Sequence, residues 1–409
     1  MKKKSQEVEV NGHLIDSMVL TKILDKVMNR GGEFEILHLE VGKKKKDSSH
    51  AKLRITGKSA KHLEEILDDI HRDGASISNK VQVRLKKALK DMTLPDNFYS
   101  TTNTKTSIFH NGKWIPVENQ MMDKCIILKE NKASCVPIRD VRKGDLVVVD
   151  EIGVKVDPPQ RPRDKANIFA FMGSSSSSER PTQHIAEKVA QDIIKTAKRG
   201  KIVIVGGPAI VHTGAAESVA EMIRNGYIHG VLAGNALAVH DIENSTLGTS
   251  LGMYVQDATL AKRGYRNHMD TVNAVFKAGS IRNMVESKKL TSGIFYECIK
   301  NDVPFVLAGS IRDDGPLPDV IADVVEAQRE YKKVLKDADM VIMVSTMLHS
   351  IATGNMLSAN VSVVVIDINQ PTVTKLVDRG TWQALGVVTD VGAFLPMIVQ
   401  QIKKLTGKK

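Results

Sequence analysis

A chain of 409 residues with 42% hydrophobic and 26% charged side chains has room for two or three packed domains, which argues against a disordered or fibrous protein. No apolar run approaches the roughly 18 residues of a membrane span, and the Lys-rich start leads into a charged strand instead of a signal peptide's apolar core, so a cytoplasmic, non-membrane protein is expected. The formal net charge of +11 is spread along the chain and only 4% of residues are aromatic, a balance that disfavours nucleic acid and leaves acidic small molecules as the partners.

In chain order, VEVNG reads as a strand, MVLTKILDKVMNRGG as a helix closed by glycine, and EFEILHLEVG and HAKLRITG as strands of period two. SAKHLEEILDDIHRDG is a second glycine-terminated helix and ASI a last strand. The order βαββαβ predicts a ferredoxin-like α+β domain over residues 1–80. Lys43–Lys46, between its two central strands, fits a solvated hairpin loop. Short β-like pieces then follow (SIFHNGKWIPV, KCIILKE, SCVPIRD, DLVVVDEIGVKV), predicting a small β-rich domain over 81–165 that ends at DPPQRPRDK. Cys125, Cys135 and Cys298 match neither a zinc site nor a redox pair, so no metal is expected from them.

From residue 166 to 409 strands and helices alternate. NIFAFM is followed by GSSSSSERP, which reads either as a linker or as a strand-to-helix turn presenting hydroxyls and amides. KIVIVGG, HGVLAGN, PFVLAGS, MVIMVST, SVVVIDIN and GVVTDVG are nearly continuous apolar runs, as strands buried on both faces are. The fold class is therefore multidomain α/β with a C-terminal doubly wound, mostly parallel sheet, and ligands of such sheets bind at the carboxyl ends of the strands.

Those ends carry Asn235 and Ala236, then Asp313 and Asp314, the run Ser345, Thr346, Met347, Leu348 and His349, then Asp367, Asp390 and Val391. A carboxylate there can accept both hydroxyls of a ribose, and consecutive amides with a hydroxyl can meet a pyrophosphate. The G-x-G-x-x-G spacing is absent, and any one of these residues could serve as a helix cap instead. His212, Thr213 and His268 are either substrate contacts or buried, hydrogen-bonded side chains, and Lys262, Arg263 and Arg266 form a basic cluster.

The stretches GNALAVHDIE, PFVLAGSIRDDGPLPDV, MVSTMLHSIATGN with VVVIDINQPTVTKL, and FMGSSSSSERP together resemble the archaeal type of ornithine cyclodeaminase. They also resemble the C-terminal part of cyanobacterial arginine dihydrolase/ornithine cyclodeaminase fusions, a region elsewhere labelled lysine-ketoglutarate reductase/saccharopine dehydrogenase-like. The resemblance runs over nearly the whole chain. It implies a homo-oligomeric lyase of arginine and ornithine breakdown and proline formation that uses NAD to turn L-ornithine into L-proline and ammonia. The fusions' amidinohydrolase domain has no counterpart here, so arginine hydrolysis is not expected.

Such chemistry takes a hydride from the α-carbon, lets the δ-amine attack the imine, expels ammonia and returns the hydride. It needs proton-transfer groups near the amines, a cation for the carboxylate and a water-poor cavity. Asp241 is the first candidate acid/base, His240 the second and Glu243 a third, although Asp241 and Glu243 could equally sit in a helix's first turn. Arg263 and Arg266 are the candidate carboxylate clamp. The cofactor set is Asn235, Ala236, Asp313, Ser345 to His349, Asp367, Asp390 and Val391, with Asp367 favouring NAD over NADP by repelling a 2′-phosphate. A saccharopine-type dehydrogenase and a non-catalytic NAD and amino-acid sensor are the alternatives.

Overall fold

The computed structural model describes residues 3–12, 14–15, 18–42, 47–71, 73–77, 81–157, 182–261, 264–313, 315–379 and 384–407. Lys43–Lys46, the NIFAFM and GSSSSSERP stretches, Lys262, Arg263 and Asp314 lie outside them. The chain divides into two compact units: the described residues within Met1–Phe171 with Asn355–Asn360, and those within Met172–Gly354 with Val361–Lys409.

The first unit holds two sheets. β1 (Lys4–Gly12), α1 (Val19–Asn29), β2 (Glu33–Glu40), β3 (Ser49–Gly57), α2 (Ala60–His71) and β4 (Ser76–Ile77) form the expected ferredoxin-like layer, with sheet order β2-β3-β1-β4 and every pair antiparallel. Strict alternation along β3 turns Ala51, Leu53 and Ile55 inward, where they pack with Ile23 and Val27 of α1 and Ile66 and Ile70 of α2. The second sheet contains β5 (Arg84–Lys87), β6 (Thr106–His110), β7 (Lys113–Glu118), β8 (Cys125–Lys129), β9 (Lys132–Val136), β10 (Leu146–Val149) and β11 (Val154–Val156). Its order is β11-β6-β7-β9-β8-β10-β5. DLVVVDEIGVKV, one piece by pattern, is split into β10 and β11 because Asp150 and Gly153 both take positive φ, 58° and 75°.

The second unit begins with α3 (Thr182–Ala197) and β12 (Lys201–Gly206), followed by α4 (Ala209–His212), α5 (Ala216–Arg224), β13 (Gly230–Gly234) and α6 (Asn235–Leu247). A two-strand hairpin, β14 (Thr249–Ser250) and β15 (Met253–Tyr254), precedes α7 (Asn267–Ala278), α8 (Ile281–Glu286), α9 (Ile294–Lys300), β16 (Phe305–Ala308), β17 (Val320–Ile321) and α10 (Val324–Leu335). Then come β18 (Ala338–Val344), α11 (Met347–Gly354), β19 (Ser362–Asp367), α12 (Gln370–Arg379), β20 (Ala384–Val388) and α13 (Val391–Thr406). The seven-stranded sheet, β17-β16-β13-β12-β18-β19-β20, is parallel throughout.

Six of its strands are the six apolar runs of the sequence. They are apolar on both faces because helices cover both: α3 and α13, for example, bring Val189, Ile193, Phe394 and Ile398 into the same core as Ile202 and Ile204 of β12. The two-residue strands β14, β15 and β17 are too short to leave a periodic signal. The chain winds outward from β12 through β13 and β16, then restarts beside β12 at β18. That reversal makes the carboxyl ends of β12 and β18 the topological switch point, where such sheets open a crevice. Among the described residues no helix is long and apolar enough to cross a membrane.

Candidate active site

Two backbone approaches close the floor of the switch point. Gly207 donates its N–H to Val344 O at 2.9 Å, and a methyl group added at Gly207 would fall 1.9 Å from Ser345 O, so only glycine fits. Ser345 itself adopts a left-handed φ of 51°, held by its N–H to Ile366 O at 3.0 Å. One strand over, a methyl group at Gly234 would lie 2.7 Å from His349 Cε1. The bare backbone of Gly234 thus lets the His349 ring rest against the start of α6. Burial keeps that imidazole's pKa below its usual value, so it is neutral, and its Nδ1 lies 3.0 Å from Thr346 Oγ1.

Helix α6 carries the next group. Asn235 and Leu237 through Glu243 are all buried, so its first two turns have no solvent face, and the polar residues among them must find partners inside. Each does so. Asn235 Oδ1 accepts from Leu317 N at 3.0 Å. Asp241 accepts from Ile294 N and Phe295 N, both at 3.0 Å, and so caps the N-terminus of α9. Glu243 Oε2 lies 3.2 Å from His240 Nδ1, and its Oε1 accepts from Thr249 Oγ1 at 2.8 Å.

Around His240 the chain gathers residues from three other stretches. Ser250 Oγ is 3.2 Å from His240 Nδ1 and 2.7 Å from Nδ1 of His212, at the end of α4. The rings of His212 and His240 meet edge to face with centroids 4.6 Å apart, and His268, in the first turn of α7, is 5.2 Å from His240 on the same measure. Asn267 Nδ2 donates to Thr249 Oγ1 at 2.8 Å. Burial, and then the charge of His240, push the His212 pKa down to about 4, so His212 is neutral at physiological pH. Ligand atoms of His240, Glu243 and His268 lie within 4.8 Å of one another. Glu243 is hydrogen-bonded on both oxygens, to Thr249 Oγ1 and to His240 Nδ1, which ties the group into one buried network.

Several expectations change on this geometry. Asp241 does not join His240: both its oxygens accept from the buried N–H groups of Ile294 and Phe295, so the first-ranked acid/base candidate stands here as the cap of α9. Arg266 is exposed and faces Asp270 at 3.7 Å, while Arg263 lies outside the described residues. Asp313 Oδ2 braces its own loop through Ser310 N at 2.8 Å. Asp367 Oδ1 accepts from Asn369 N at 2.8 Å and Asp390 Oδ1 from Ala393 N at 3.1 Å, which caps α13 just ahead of buried Val391. The other oxygen of each carboxylate has no hydrogen-bond partner among the described residues. Met347 and Leu348 are exposed at the start of α11. The sequence reading missed Thr249, Ser250 and Asn267; the one signal available was a pair of hydroxyls between glycines, LGTSLG, next to the end of α6.

The start of α6 at the end of β13 has no side chain of its own to cap it. α10, α12 and α13 begin with side-chain acceptors, Asp323, Asn369 and Asp390, but α6 begins at Gly234, which has no side chain to cap it. Its first-turn amides lie beside the switch point, and Asp367, at the end of β19, stands two strands from β12.

Comparison with known proteins agrees with this architecture. Residues 184–398 match the family described as "Arginine dihydrolase ArgZ-like, C-terminal, Rossmann fold", residues 105–186 its "first region", and residues 5–104 the "LOR/SDH bifunctional enzyme conserved region". An ornithine cyclodeaminase of Methanothermobacter thermautotrophicus is 53% identical over 406 residues, 98% of this chain and 99% of that protein. The crystal structure of apo ArgZ, an arginine dihydrolase from the ornithine-ammonia cycle in cyanobacteria, superposes with a TM-score of 0.85 at 37% identity, covering 99% of this chain and 59% of that one. The ternary complex of AgrE with ornithine and NAD+ gives a TM-score of 0.55 at 39% identity, covering 100% and 59%. The present chain thus spans about three-fifths of the length of ArgZ and AgrE. A Rossmann-type enzyme with a buried histidine–carboxylate group on the switch-point side of its sheet is the class that fold and site define. The chain belongs to the ornithine cyclodeaminase family, in its archaeal form.

Proposed function

We propose that the chain binds NAD across the carboxyl ends of β12, β13, β18 and β19 and converts L-ornithine to L-proline and ammonia. The observation that carries the reading is the buried His240–Glu243 pair, set on the same helix whose uncapped start faces the switch point. The relative solved with both ornithine and NAD+ supports the choice of ligands.

For the cofactor, the amides of Asn235 and Ala236 meet the pyrophosphate, the turn from Ser345 to His349 lines the crevice, and Asp367 accepts the ribose hydroxyls and repels a 2′-phosphate. Asp313, Asp390 and Val391 shape the flanks. NAD, when bound, supplies a reversible two-electron acceptor for the ornithine α-carbon. The rest is proton handling and position by the chain. His240, its Nδ1 on Glu243, takes a proton from a substrate ammonium through Nε2 and later returns it to the departing ammonia. For the ornithine carboxylate the sequence offers the cations Arg263 and Arg266. The buried walls of α6 keep water from the imine.

Incubation with ornithine and substoichiometric NAD tests the reaction: proline and ammonia are expected in excess of NAD, with no net absorbance at the NADH band. Accumulating NADH would mark a dehydrogenase instead, and bound ornithine without product would mark a sensor. A second expectation concerns the crevice. Gly234→Ala, by pushing His349 from the start of α6, should weaken NAD binding about tenfold in a calorimetric titration. Unchanged NAD affinity would move the cofactor away from this helix.

A further inference from the structure

We infer that Thr249 and Ser250, the two residues of β14, are positioning residues that fix opposite tautomers in His240 and His212, giving one ring a bare Nε2 and the other a protonated Nε2. The inference rests on the proposed reaction only for its purpose, since the tautomers follow from hydrogen-bond direction alone.

The chain of donors has one fixed end. The Nδ2 group of Asn267 can only donate, and it lies 2.8 Å from Thr249 Oγ1. Thr249 therefore receives there and gives its own proton to Glu243 Oε1, 2.8 Å away. That leaves Glu243 a carboxylate acceptor, and its Oε2, 3.2 Å from His240 Nδ1, requires the proton of that ring to sit on Nδ1. Neutral His240 then has an unprotonated Nε2.

Ser250 settles the second ring. Its Oγ is within hydrogen-bond distance of Nδ1 on both histidines, at 2.7 Å from His212 and 3.2 Å from His240, but a hydroxyl has one proton to give. His240 Nδ1 already carries a proton and can only donate to Ser250, and the shorter contact, 2.7 Å, is the one to His212, so we assign the Ser250 proton to His212 Nδ1. A neutral His212 must then hold its proton on Nε2. Two imidazoles whose centroids are 4.6 Å apart thereby present an acceptor and a donor. That suits a substrate with two amines, one of which has to lose a proton while the other is held or expelled as ammonia. Without β14 either ring could take either form, and half of the combinations present two donors or two acceptors.

The test reads the tautomers directly. In the full-length protein labelled with imidazole nitrogen-15, without substrate, long-range proton–nitrogen correlation at neutral pH should show His240 protonated at Nδ1 and His212 at Nε2. In Ser250→Ala the His212 pattern should become mixed, with kcat lowered by roughly 10- to 100-fold. Ser250→Thr, which keeps the hydroxyl, should restore both, and Thr249→Val should disturb His240 alone. A wild-type protein with His240 protonated at Nε2, or a Ser250→Ala protein with both patterns unchanged, overturns the inference. Correct tautomers in a protein that makes no proline would sustain it while removing the proposed reaction.

Discussion

Replacing His240 with Gln is expected to lower kcat by roughly 10³-fold, with NAD affinity nearly unchanged. The split follows from distance along α6. The amides assigned to the pyrophosphate belong to its first turn, and His240 lies five residues on, about 7.5 Å further along the axis. Glutamine fills a similar volume and keeps a hydrogen bond to Glu243, so the fold should survive, but it cannot take up a proton near neutral pH. Glu243→Gln should reduce kcat less, by about 10²-fold, because His240 remains while its acceptor loses its charge. Steady-state rates with ornithine, beside calorimetric titration of NAD, check both variants. Near-wild-type turnover in His240→Gln would hand the proton-transfer role to another member of the cluster, with His268 next in line.

Asp241→Ala should act through stability instead. Its two oxygens hold the buried N–H groups of Ile294 and Phe295 at the start of α9, and removing them leaves both donors without an acceptor in a core that excludes water. A loss of roughly 3 kcal/mol is expected, or a fall in Tm of about 6 to 12 °C for a unit of this size. The pH dependence is a sharper sign. Burial raises the Asp241 carboxyl from 3.8 to about 7, against the pull of the two amides. The folded protein keeps a proton that the unfolded chain releases across that interval, so this contribution to stability falls as pH rises from about 4 to 7. His212 acts in the opposite sense. Lowered from 6.5 to about 4, it stays neutral in the folded protein where the unfolded chain would take up a proton, so its contribution grows as pH rises across that range. The two slopes oppose in the wild type. In Asp241→Ala the falling slope is gone while the rising one of His212, in the same sense as that of His349, remains, and Tm should climb more steeply between pH 4 and 6.5; an unchanged Tm and slope would take Asp241 out of the capping role.

The architecture was legible because its signals are local. Period-two alternation in HAKLRITG and the unbroken apolar runs of β12, β13, β16, β18, β19 and β20 are imposed by burial on one face or on both, so they survive in any window of a few residues. β14, β15 and β17, two residues each, hold no repeat of that alternation and left no trace.

The site divides along the same line. Sequence by itself determined that polar residues stand at the carboxyl ends of a parallel sheet, and that VLAGNALAVHDIE follows one of them with His240, Asp241 and Glu243 in reach. It could not rank those three, because adjacent residues on a helix point about 100° apart and their roles depend on what each face meets. Tertiary structure decided that Asp241 faces α9, whose unpaired amides engage both of its oxygens. His240 and Glu243 face Ser250, Thr249 and His212, brought together by a hairpin and a short helix distant in sequence. Hydrogen-bond direction, which exists only once the partners meet, turned a row of polar residues into one acceptor and one donor.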